Sequence, residues 1–149
     1  MQSRFLFIIM ALVLGALLPI QAIINARLSR VVSSSIVTAF ISFAVGTIAL
    51  FFYLLLTRQF HLQTIPFRQS PWWIWIGGLL GTFYVAGIVV LVPRLGVALS
   101  FSLVIAGQMM IAMLFDHFGW LGVAVREISF GKIAGAILLI VGVFLIRKF

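Results

Sequence analysis

The residues of this chain that could do chemistry are few, and most stand in apolar surroundings. Gln21 and Asn25 are four apart and so share one face of a helix. Gln108 follows Gly107 near the middle of another apolar run, and Tyr84 lies inside a third. Asp116-His117 closes the run that holds Gln108, and Glu127 stands beside Arg126 in a loop as a solvated pair. Amides and a phenol in such a layer can do one thing, which is to hydrogen-bond. Lipid offers them no partner, so a mid-bilayer amide must face protein or a water-filled cavity. Gln108, Gln21 and Asn25 are therefore expected to line a solute cavity rather than to tie helices together, with Tyr84 as a further candidate. The hydroxyls of Thr38, Ser42 and Ser100 are expected to bond the carbonyl four residues back. Asp116 is the candidate for ion coupling, since a carboxylate there can pair with His117, an arginine or a partner helix and can titrate if half-buried. The competing role for it is an interfacial end-cap.

No pattern for catalysis accompanies these groups. HExxH, GxSxG and phosphate-binding loops are absent, and two His with two acids are too scattered to form a metal site by spacing. No catalytic residue, cofactor or metal is expected, so the chain is read as neither an enzyme nor, alone, an ATP-driven pump. With no cysteine, disulfides and thiolate metal sites are excluded.

The elements that must position these residues are apolar spans. The chain is 64% hydrophobic and 8% charged, with mean hydropathy +1.33, the profile of a polytopic membrane protein. Apolar runs cover Phe5–Ile24, Ile36–Leu56, Trp72–Val92 and Val97–Phe115. A spanning helix needs roughly 20 such residues. A fifth helix runs from about Ser129 to Arg147, with Ser129 as its N-cap, Lys132 snorkelling, and Arg147 and Lys148 at its C-terminal end. The expected helices are thus 5–24, 36–56, 72–92, 97–115 and 129–147, in a single five-helix domain over 1–149. Trp72, Trp73 and Trp75 after Pro71 mark an interfacial belt, and Pro93-Arg94-Leu95-Gly96 is a tight turn between helices three and four. The stretch Phe118–Val125 either prolongs helix four or lies at the interface. Arg4 and Phe5–Leu18 resemble a signal peptide, but Ile20-Gln21-Ala22 is a poor cleavage site, so the first span is expected to be retained.

Charge placement is unusual. With five spans the termini face opposite sides. Arg4, Arg58, Arg68, Arg126 and Lys132 then share the N-terminal side, and Arg27, Arg30, Arg94, Arg147 and Lys148 the other. Lys/Arg bias normally fixes orientation, and here the two sides balance. The net charge of +8 is read as anchorage to headgroups and anionic lipid, not as nucleic-acid binding. A chain that inserts either way up can pair with an inverted copy of itself.

Small residues indicate where helices approach closely, because in lipid packing rather than the hydrophobic effect drives association. Gly77, Gly78 and Gly81 mark helix three, either for a subunit contact or for packing within one bundle. Gly131, Gly135 and Gly142 fall within roughly 40° of one another on helix five, and this stripe is expected to be the dimer contact.

Several of these residues together resemble a known family. Pro19-x-Gln21-Ala22-x-x-Asn25-x-x-Leu28, Pro71 with its tryptophans and Gly77-Gly78, Pro93-x-Leu95-Gly96, Gly107-Gln108 and Asp116-His117-Phe118-Gly119 occur in that order. The series is similar to the YdcZ-like family of the drug/metabolite transporter superfamily. Glu127-Ile-Ser-x-x-Lys-Ile-x-Gly135 through Gly142-Val143 resembles the last helix of a transporter half in that superfamily. The resemblance spans the chain and implies a multi-pass protein of the bacterial inner membrane, half of a ten-helix inverted-repeat architecture. It also implies secondary transport or export of a small metabolite or drug-like solute by alternating access, as an antiparallel dual-topology homodimer in the lipid bilayer. No mid-membrane glutamate is present, unlike the small four-helix proton-coupled transporters. A channel, or an accessory subunit of another transporter, remains as the alternative.

Overall fold

The computed structural model describes residues 2–59 and 70–149, with side chains from Arg4 onward. Arg68, counted above on the N-terminal side, lies outside the described residues. Within them the chain is all-α. Five helices are long and apolar enough to cross a membrane: α1 (Gln2–Val32), α2 (Ser35–Leu56), α3 (Gly77–Leu95), α4 (Val97–Phe118) and α5 (Phe130–Lys148). Most of their large apolar side chains are exposed, as expected when lipid or a partner, rather than water, is the solvent.

The helices fall into two compact units, residues 1–94 and 95–149. In the first, α1 and α2 are joined by the two-residue turn Ser33-Ser34, so they pack as an antiparallel pair. Ser34 caps α2, its Oγ accepting from the Val37 N–H at 3.2 Å. Ala22, Asn25 and Ala26 are buried together on one face of α1. The α3 helix packs against α2 through a small core of Ala39, Val85 and Val89. Gly81 supports the same contact, since a Cβ there would stand 3.2 Å from the Phe43 ring. That glycine therefore serves packing within the bundle. In the second unit α4 packs along α5.

Several boundaries differ from those read in the sequence. The first helix runs eight residues past the expected end at Ile24, to Val32, because Asn25 to Val32 keep packing and helix-forming residues while their polarity rises. At 31 residues α1 is roughly 46 Å long, longer than one bilayer core. The tryptophans form a separate 3-10 turn, Trp72–Ile76, ahead of α3. Pro93 lies inside α3, so the break before α4 narrows to Gly96 alone, whose φ of +80° glycine adopts readily. Proline there leaves the Val89 carbonyl without its helical donor, and the helix continues only two residues further, to Leu95. The α4 helix ends at Phe118 on Gly119 (φ +64°), where a Cβ would come 2.7 Å from Val125 Cγ2. Trp120–Gly122 forms a second short 3-10 turn, and Trp120 stacks on Phe118 at 5.1 Å. The helix thus ends three residues past the expected Phe115, and the stretch from Gly119 to Val125 leaves it rather than prolonging it. Ser129 caps α5 as expected, accepting from the Lys132 N–H at 3.3 Å.

Candidate functional site

A cavity of about 810 Å³ lies along the α1–α2 pair. Its apolar wall is built from residues such as Leu14, Leu17, Leu18 and Val45, and its polar groups are Gln21, Asn25 and Ser42. The volume lies within the range of pockets that hold drug-sized molecules. Two features of sequence make it. Gln21 and Asn25 share a face of α1 through their spacing, and Asn25, only 5% exposed, donates from Nδ2 to Ser42 Oγ across the helix pair at 3.3 Å. Pro19 sits inside α1 and has no N–H, so the carbonyl of Gly15, four residues earlier, loses its helical donor. Gly15 also lines the cavity.

Gln21 and Asn25 share one face of α1, as their spacing predicts, but Asn25 ties α1 to α2 as well as lining the cavity, and Ser42 does not bond its own helix backbone. The other hydroxyls do bond backwards: Thr38 Oγ1 to Ser34 O at 2.9 Å and Ser100 Oγ to Gly96 O at 2.6 Å. Ser42 instead accepts from Asn25. A usable signal was present. Asn25 precedes Ser33 by eight residues and Ser42 follows Ser34 by eight, so an antiparallel pair must bring them to the same depth.

The remaining candidates lie elsewhere. Gln108 is exposed on α4, in the second unit. Tyr84, on α3, is half-buried, and its hydroxyl has no hydrogen-bond partner in the structure. Asp116 is half-buried and lines a cavity of about 340 Å³ along α4 and α5 with Lys132, Gly135, Met109, Ala112 and Met113. Its carbonyl accepts from the Arg126 N–H at 2.7 Å, while His117 Nδ1 accepts from the Ile128 N–H at 3.3 Å. Lys132 donates from Nζ to the carbonyls of Arg126 and Glu127 at 3.1 and 3.0 Å, binding the loop. That contact differs from the expected snorkelling toward headgroups, because two loop carbonyls lie within closer reach. Among the described residues no group of three His, Cys, Asp or Glu is placed to hold a metal ion. A Cβ at Gly135 or Gly142 would meet nothing within 4 Å, and one at Gly131 only Ser129 Oγ at 3.9 Å. Gly142 lines a smaller groove with Ser102 and Ile105 of α4.

Comparison with known proteins gives two matches. Residues 6–145 match the family model described as "Putative inner membrane exporter, YdcZ". The chain is also 31% identical over 148 residues to the "Inner membrane protein YdcZ" of Escherichia coli (strain K12), covering 99% of this chain and 97% of that protein. No solved structure matches.

Proposed function

Because the chain belongs to the YdcZ family of inner membrane exporters, we propose that it carries a small solute by secondary, non-ATP alternating access. Five apolar helices and that membership make it a multi-pass inner membrane protein. The observation that carries the transport reading is the α1–α2 cavity, where Gln21 and Asn25 present amides within an apolar wall. The Gln21 amide there, exposed on α1, is available to a solute, whereas Asn25 is already bonded to Ser42. Tyr84 and Gln108 are proposed as further solute contacts, each on its own unit, and Asp116 as the group that couples transport to an ion.

The working unit in this reading is an antiparallel homodimer, half supplied by each copy, rocking as inverted repeats do. The even split of basic residues supports it, since it leaves orientation unspecified. Gly135 and Gly142 support a helix-five contact, because among the described residues a Cβ at either meets nothing within 4 Å. On this reading the protein is not an enzyme, and a channel differs from it only in lacking an occluded state. Reconstitution into proteoliposomes tests the proposal. Saturable counterflow of a transported solute is expected, whereas a flux that stays linear with concentration and shows no counterflow would replace the carrier with a channel.

A further inference from the structure

The walls of the α1–α2 cavity specify the chemical class of what it holds. The α2 helix, at 22 residues, is roughly 33 Å long and matches one bilayer core. Ser42 is its eighth residue, about 11 Å from the α1–α2 turn, and Val45 is about 15 Å from it, near the midplane. On α1 the same rise puts Asn25 about 11 Å, Gln21 about 17 Å and Leu14 about 27 Å from the turn. The cavity therefore straddles the midplane, with Asn25, Ser42 and Gln21 between the turn and mid-depth and Leu14, Gly15, Leu17 and Leu18 beyond it. Among the described residues no ionisable side chain lines it.

We infer that the α1–α2 cavity binds an uncharged amphiphile whose amide or hydroxyl group meets Gln21 and Asn25 and whose apolar body lies against Leu14–Leu18. This rests on the transport reading for its physiological meaning, but not for the binding itself. An ion in this cavity would have no counter-charge, and an unpaired charge at bilayer depth is strongly disfavoured. A purely apolar molecule would leave the Gln21 amide without a partner. A ligand with both a donor and an acceptor satisfies that amide. The Asn25–Ser42 bond holds the amide of Asn25 in place beforehand.

Three photoreactive benzophenones of matched shape test this. They are the neutral para-benzoylbenzamide, the anionic para-benzoylbenzoate and the cationic (para-benzoylbenzyl)trimethylammonium. Each is irradiated with the purified protein in phosphatidylcholine nanodiscs, and labelled peptides are mapped by mass spectrometry. Saturable labelling by the neutral probe is expected within 14–28 and 41–45, with both ions binding about a hundredfold more weakly, as a charge at this depth requires. Replacing Gln21→Leu and Asn25→Leu together should weaken the neutral probe about tenfold while thermal melting confirms that the fold persists. Labelling spread evenly over lipid-facing residues of all helices would mean that acyl chains fill the cavity, and would overturn the inference. So would equal labelling by an ionic probe, or a Leu17→Cys variant that crosslinks between two chains and so places a second copy there. Site-specific labelling without any saturable flux in proteoliposomes would instead remove the transport reading and leave this site standing.

Discussion

Gly135→Leu separates contact between copies from packing within one chain. In the single chain, a Cβ at position 135 meets nothing within 4 Å. The rest of a leucine side chain can enter the space of about 340 Å³ that Gly135 shares with Met109, Ala112 and Met113. Removing a helix-interior glycine is also favourable by about 1 kcal/mol in water. The isolated chain should therefore melt no lower than the parent. A dimer that uses this stripe for close approach behaves differently. The added side chain must be accommodated in a packed contact, at a cost of about 1–3 kcal/mol, which raises the dimer Kd roughly 5- to 150-fold. The chain lacks cysteine, so one engineered cysteine outside the spans gives a single dye site, and energy transfer across a detergent dilution series reads the Kd. Gly81→Leu is the control. Its Cβ stands 3.2 Å from the Phe43 ring, so it should lower thermal stability by a similar amount and leave the dimer Kd unchanged. An unchanged Kd for Gly135→Leu, or a fall in its melting temperature instead, refutes the assignment of the stripe to the subunit contact.

Three other outcomes follow from the same geometry. A C-terminal topology reporter should register both orientations in the membrane, and two or three lysines added to one side should drive most copies one way and impair function until an oppositely biased variant is co-expressed; a single orientation in the parent chain defeats dual topology. A thermal double-mutant cycle of Asn25→Ala with Ser42→Ala should give a coupling of about 0.6 kcal/mol and no more than about 1.7, and zero coupling would mean that the 3.3 Å bond contributes nothing. Gln108→Leu should abolish or re-tune transport with melting unchanged; normal transport with stability lowered by about 1 kcal/mol would make Gln108 a helix-to-helix tie.

Hydropathy made the five spans legible because a bilayer imposes one length on every segment that crosses it. The ends were less legible. Asn25, Arg27 and Arg30 raise the polarity of α1 but do not stop a helix, since nothing in Asn25–Val32 competes for its backbone bonds; hydropathy ends a span where the helix continues. Pro93 misled in a similar way. It signals a turn, yet in the last turn of α3 it removes one hydrogen bond and leaves the stop to Gly96. In the site, the period of 3.6 residues was enough to put Gln21 and Asn25 on one face. It could not say what lay opposite, and Ser42 entered only when the Ser33-Ser34 turn fixed the register of α2 against α1. Gly15 escaped for the same reason: it lies on the α1 face that holds Leu14, Leu18 and Gln21, and what stands opposite that face is not written in the sequence of α1.

The position of the cavity bears on why an inverted partner would be useful at all. By helical rise Asn25 and Ser42 stand about 11 Å from the α1–α2 turn and Gln21 about 17 Å, while Leu14 is about 27 Å from it. One chain thus offers the hydrogen-bonding groups of this cavity only between the turn and mid-depth, and beyond that its wall is leucine. A two-fold axis in the membrane plane would carry the copy's Asn25 and Ser42 into the opposite half, so that polar groups would stand at both depths. The basic residues follow the same logic, since under that axis each face of the dimer receives one copy's Arg27 and Arg30 and the other copy's Arg4 and Arg58. Two properties that arise independently, polar groups confined to one side of the midplane and a charge balance that leaves orientation free, would both be served by that symmetry. A parallel dimer would use neither: it would double the polar groups on one side and leave the other half of the cavity wall apolar.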